Sequence, residues 1–127
     1  MNKILLMTLL AIVSNSAVAE WLYVARNDQS YVYVDPSTIR KAGNRTGMLV
    51  LFDFKTADET RPFMSTKAQS EYECKEEQYR ITRTYIYSEN MGRGESEKSD
   101  TLTPWRLPQT GSAWKYLWNI ACLKQPQ

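Results

Sequence analysis

The sequence predicts an α+β fold: an antiparallel sheet with a C-terminal helix packed on one face and tethered to it by a disulfide. Three observations carry this. Residues 112–123 repeat apolar side chains at helical spacing, while most of the chain before them reads as short strands separated by turn residues. The chain has two cysteines, Cys74 and Cys122, and begins like an export signal.

The first segment sets the compartment. Met1 to Ala19 has a basic start at Lys3, an apolar run from Ile4 to Val13, and Ala17-Val18-Ala19 before Glu20. That is the three-part pattern of a secretory signal peptide with a small-x-small cleavage site. The apolar run is short for a bilayer span, and no cysteine follows it to carry a lipid. The expected product is one domain, residues 20–127, exported to the periplasm or the cell surface and not a lipoprotein. No later stretch is apolar enough to be transmembrane.

From Glu20 the elements follow in order. Trp21 to Arg26 is rich in β-branched and aromatic residues and forms the first strand. Asn27-Asp28-Gln29 is a turn, and Ser30 to Val34 returns antiparallel. Asp35-Pro36-Ser37 is expected to cap a brief helical turn, with Pro36 where its missing N–H costs nothing. Gly43-Asn44-Arg45 is a turn. Gly47 to Phe54 is apolar on both faces, as a central strand covered at least in part on both sides would be. Lys55 to Arg61 is a polar connection, and Pro62 opens the run toward Cys74. Ser70, Tyr72 and Cys74 point one way and Glu71, Glu73 and Lys75 the other, so Cys74 faces the helix side. Glu76-Glu77 is a tight turn. Gln78 to Tyr87 comes back with Tyr79, Ile81, Arg83, Tyr85 and Tyr87 expected on one face. Ser88 to Gly94 is a glycine-punctuated loop, Glu95 to Asp100 an edge strand or a hairpin, and Pro104 to Pro108 extended.

The helix closes the chain. Trp114, Leu117, Trp118, Ala121 and Cys122 share one face. Pro108 and Gly111 break the chain before it, Thr110 or Ser112 can cap it, and Lys124 and Pro126 suit its end. Lys115 and Asn119 are its narrow polar side, and Tyr116, Ile120 and Leu123 a second apolar side. A helix this short needs a sheet to dock on.

Composition excludes several functions. There is no histidine, hence no Ser-His-Asp triad, Cys-His pair or His-ligated metal. Sixteen basic residues oppose fourteen acidic ones, far from the basic stripe of a nucleic-acid binder. Glu71 and Glu73 sit about 7 Å apart along one strand face, which reads as a solvated face. The Ser88–Gly94 loop lacks the Lys-Ser/Thr ending of a phosphate loop. The chain reads as non-enzymatic, with no cofactor and no metal. Arg83 among tyrosines is a mix favoured at protein interfaces, and Arg93 in its glycine-flanked loop can meet an anionic partner.

The ordered features resemble the surface-adhesin protein E family of Gram-negative bacteria. They are the aromatic first strand, Tyr33-Val34-Asp35-Pro36-Ser37, Cys74 ending a strand, Tyr87-Ser88 with Met91-Gly92-x-Gly94-Glu95, Trp105, Gly111-Ser112 and Ala121-Cys122. The resemblance implies a sheet of about six antiparallel strands with a C-terminal helix on its concave face, and a Cys74–Cys122 bond. It also implies binding of host matrix or serum proteins, with dimerisation possible, and it places binding in the stretch running into the first cysteine. Here that basic stretch is Arg61 to Arg80 and carries Arg61, Lys67, Lys75 and Arg80, but also Glu71, Glu73, Glu76 and Glu77. The six candidate ligand-contacting residues are Arg61, Lys67, Tyr72, Arg80, Arg83 and Arg93. The alternative function is a periplasmic inhibitor or envelope accessory protein. Homodimerisation through Tyr116, Ile120 and Leu123 is a further expectation.

Overall fold

A computed structural model describes residues 20–56 and 61–123. The expected signal peptide, Lys124 and Pro126 lie outside these residues, as does part of the polar connection. Six strands form one antiparallel sheet in sequence order: β1 (Leu22–Arg26), β2 (Ser30–Ala42), β3 (Arg45–Phe54), β4 (Ser65–Glu73), β5 (Gln78–Tyr87) and β6 (Ser96–Ser99). A 3-10 turn spans Asn90–Gly92 between β5 and β6, and one helix, α1 (Ala113–Cys122), follows.

The helix forms where the spacing requires it. Ser112 is its N-cap, in extended backbone, and its hydroxyl accepts from the Lys115 N–H. At the other end the Ala121 carbonyl, left free by the end of the helix, accepts from Thr46 Oγ1 at 3.1 Å and Lys41 Nζ at 3.3 Å. Leu117, Trp118 and Ala121 are buried against Val32, Val34, Met48, Val50, Ala68, Tyr72 and Tyr79. The Trp114 ring stacks on Tyr79 with centroids 4.4 Å apart and leans on Phe52 at 5.5 Å. Each large side chain so buried contributes about 1.5–3 kcal/mol. The Cys74–Cys122 disulfide bolts the end of α1 to the end of β4 across a sequence separation of 48.

Two expectations are corrected. Asp35-Pro36-Ser37 makes no helical turn, because β2 runs through it to Ala42 with an irregularity between Asp35 and Arg40. Asp35 Oδ1 takes the Ser37 N–H at 3.0 Å and the Ser37 hydroxyl at 2.8 Å, and Thr38 Oγ1 accepts from the Leu49 N–H at 2.9 Å. Those bonds satisfy the backbone within the sheet, so no helix is needed to do it. The face assignment of β5 is also corrected. Gln69 pairs with Arg83 while Ser70 pairs with Ile81, so Thr82 is an extra residue. Such a bulge reverses the side-chain alternation beyond it. Tyr79 and Ile81 face the helix, whereas Arg83, Tyr85 and Tyr87 share the opposite, outer face with Arg80.

The doubly covered central strand is borne out. β3 buries Met48 and Val50 under the helix and Leu51 on the outer face. The Ser88–Gly94 loop folds back to cover Leu51: Asp53 Oδ1 accepts from the Met91 N–H at 2.7 Å and from Asn90 Nδ2 at 3.0 Å, and Ser65 Oγ accepts from the Gly92 N–H at 2.9 Å. Glu95 to Asp100 supplies the edge strand β6. The extended Pro104–Pro108 segment lies along the rest of β5, where Arg106 and Tyr79 exchange backbone bonds of 2.8 and 2.9 Å.

Candidate functional site

The outer face of the sheet carries the candidate residues that the fold brings together. Alternation sends Lys67 outward beside the buried Ala68, and Arg80 outward beside the buried Tyr79. The Lys67 ammonium lies between two rings, 5.6 Å from Trp21 and 5.0 Å from Tyr87. Gly92, at φ +71°, lies so close that a Cβ there would sit 2.6 Å from Lys67 Cε. The lysine stem is therefore held by packing and its charge by ring faces. Arg80 donates to Glu71 Oε1 at 2.8 Å and lies 4.3 Å from the Trp105 ring centroid. Arg45 covers the same ring at 5.2 Å.

Arg83 projects further out. It pairs with Asp100, and the Tyr85 hydroxyl followed by the Asp100 carboxylate holds its guanidinium above the ordinary arginine range. Across the sheet the outer face continues through Tyr33 and Tyr23, whose rings meet edge-on at 5.8 Å. Burial, and then the neighbouring Asp53 carboxylate, push the Tyr33 phenol up, so it stays neutral and can donate a hydrogen bond.

Three of the six expected residues thus share one face: Lys67, Arg80 and Arg83. Tyr72 and Arg61 do not join them. Tyr72 is fully buried on the helix side, and its hydroxyl bonds Ser70 Oγ at 2.8 Å. It belongs to the core and meets no ligand, because the alternation that points Cys74 at the helix points Tyr72 there too. Arg61 lies 3.9 Å over the Phe54 ring and donates to the carbonyls of Phe63 at 3.1 Å and Thr56 at 2.8 Å. It clasps the β3–β4 connection. Arg93 is exposed on the loop beyond the 3-10 turn. Trp21, Trp105 and Arg45 belong to the outer face and were not anticipated. The period-2 pattern of Tyr31 and Tyr33 against Val32 and Val34 was the available signal that this face is aromatic; the ring–cation pairing is tertiary.

Among the described residues no group of three or more His, Cys, Asp or Glu could hold a metal, and no helix is long and apolar enough to cross a membrane. The sequence profile of the family described as surface-adhesin protein E matches residues 21–123. The chain belongs to the surface-adhesin protein E family. No curated protein sequence matches it. Solved structures of Haemophilus influenzae protein E share the fold at low identity. One crystal form is 13% identical with a TM-score of 0.66, covering 86% of this chain and 91% of that one. A second structure, also 13% identical, has a TM-score of 0.64 over 86% and 88%. Protein E from non-typeable Haemophilus influenzae is 12% identical, with a TM-score of 0.57 over 85% and 79%. The surface-adhesin E fold therefore extends over nearly all the described chain, and its helix-free face bears the cations and rings.

Proposed function

We propose that this surface-adhesin E domain is an exported, non-enzymatic protein-binding module of the cell surface that docks host matrix or serum proteins on the outer face of its sheet. The observation that carries the reading is the cluster of Lys67, Arg80 and Arg83 on a face with Trp21, Tyr87 and Trp105. Rigid aromatic rings with arginine supply contact area at little entropic cost, which is the composition of binding hot spots. The family membership of the chain supports the same reading.

Two measurements test it. Immobilised matrix and serum proteins are screened with the wild-type protein and with Arg83→Ala, a change at a side chain that is 45% exposed, with the variant's folding checked by circular dichroism. At least one partner is expected to bind and to lose roughly ten-fold in affinity with the variant. Protease is then applied to intact cells and to cells whose outer membrane has been opened. Digestion on intact cells is expected. Protection until the membrane is opened, or a screen in which every protein fails to bind, would sink the adhesin reading and favour a periplasmic inhibitor or accessory role. Self-association would use Tyr116 and Leu123, exposed at 51% and 62%. Light scattering across concentrations checks it, with a strict monomer removing the idea.

A further inference from the structure

The second candidate surface is the free edge of β6. This strand ends the sheet, and among the described residues nothing pairs with its outer side. Such an edge presents a row of backbone donors and acceptors ready to take another strand. The helix packs across β1 to β5 and does not reach β6, so among the described residues no helix covers that end of the face. A groove of about 710 Å³ fills that space, floored by Pro62, Phe63 and Ile86 and rimmed by Glu95 and Glu97. Ile86 and Glu97 are direct cross-strand partners in the β5–β6 pair. An apolar floor with two carboxylates therefore adjoins the open edge itself.

The charges choose the occupant. Neither Glu95 nor Glu97 has a salt bridge among the described residues. Of the nearby bases, Arg61 is engaged by Phe54 and by the carbonyls of Thr56 and Phe63, and Arg93 stands on the exposed loop. A second copy of the chain is a poor fit. Pairing β6 with itself about a two-fold axis normal to the sheet opposes Glu95 to Glu97, Glu97 to Glu97 or Lys98 to Lys98 in the registers centred on Ser96, Glu97 and Lys98, and the register centred on Ser99 sets Lys98 against Asp100, a carboxylate that Arg83 already holds. Like charges directly opposite are destabilising.

We infer that β6 and its groove accept an extended basic segment of another protein, added as a seventh strand. The backbone bonds supply affinity. A lysine or arginine of the segment lays its aliphatic stem over Ile86 and Phe63 and sets its charge between Glu95 and Glu97. This site lies on the helix side of the sheet, separate from the outer face, and does not depend on what that face binds.

The probe is an N-acetylated, C-amidated ten-residue peptide alternating valine and lysine, with a valine–glutamate peptide as control. The protein is titrated with each while backbone amide exchange is followed by NMR. The basic peptide is expected to bind, to slow exchange of β6 amides, and to lose roughly five-fold in affinity with Glu95→Gln/Glu97→Gln. The variant Glu95→Lys/Glu97→Lys is expected to reverse the preference toward the acidic peptide, which a loss of folding would not do. The inference is overturned if the basic peptide fails to bind at millimolar concentration, if both peptides bind alike, or if binding leaves β6 exchange unchanged. It is also overturned if β6 becomes protected with protein concentration alone, since the occupant is then a second copy. Because no host protein enters this assay, its failure leaves the outer-face reading standing, and the reverse holds.

Discussion

Tyr72 shows how one position serves the core while looking, in the sequence, like a binding residue. Its phenol is fully buried and bonded to Ser70 Oγ, which in turn donates to the Met48 carbonyl at 3.0 Å. Burial, only partly offset by the Ser70 hydrogen bond, pushes its pKa far above the ordinary tyrosine value. The folded state therefore keeps a proton that the unfolded chain releases above about pH 10. The stabilisation is complete below that pH and is lost as pH rises beyond it. Tyr72→Phe is expected to cost about 1 kcal/mol at neutral pH and to flatten the decline in stability above pH 10, as urea titrations at several pH values would show. Gly92 is a second such position. Its φ of +71° suits glycine, so Gly92→Ala is expected to cost about 1–2 kcal/mol and to move Lys67 off its rings. The Trp21 and Tyr87 chemical shifts report the displacement.

Among the elements, α1 was the most legible. Its apolar spacing, the preceding Pro108 and Gly111, and the Ser112 cap all agree with each other, and the observed helix differs from the expected one only at its terminal residues. The alternation of Ser70, Tyr72 and Cys74 was equally plain because one face is buried and the other is not. Two features were hidden. Asp35-Pro36-Ser37 has the composition of a helix start, and its Asp35–Ser37 bond is the one a helix cap would make; the segment stays in the sheet because Thr38 takes the Leu49 N–H and pairing with β3 resumes at Arg40. The bulge at Thr82 leaves no trace, since tyrosines and arginines occur on both sides of it; that is why Arg83 was grouped with Tyr79. At this scale the cap is testable: Ser112→Ala is expected to lower stability by about 1 kcal/mol, read from the urea midpoint at unchanged slope.

For the whole molecule, the helix and the sheet stabilise each other and the disulfide holds them in register. Closing a loop of this length contributes about 4 kcal/mol in the chain-entropy view, a large part of the net stability of a small domain. The double variant Cys74→Ser/Cys122→Ser is expected to lower stability by about that amount, measured by urea unfolding with tryptophan fluorescence and far-UV circular dichroism together. In the disulfide-bonded protein both signals should move as one. In the variant, fluorescence should change first, because Trp114 and Trp118 leave the sheet when α1 loosens. A pair of coincident curves in the variant would mean that packing alone keeps the helix docked.

The neighbour-to-neighbour order of the six strands also bears on assembly during passage out of the cell. A chain threaded outward from its N-terminus would deliver β1, β2 and β3 in the order in which they pair, so each new strand finds its template already present. Of the described elements α1 arrives last, and it closes over strands laid down long before. Until it does, Cys74 waits as an unpaired thiol and Val32, Val34 and Val50 lie open on the uncovered face. The vulnerable interval in the life of this protein is the one between completion of the sheet and arrival of its final turns of helix.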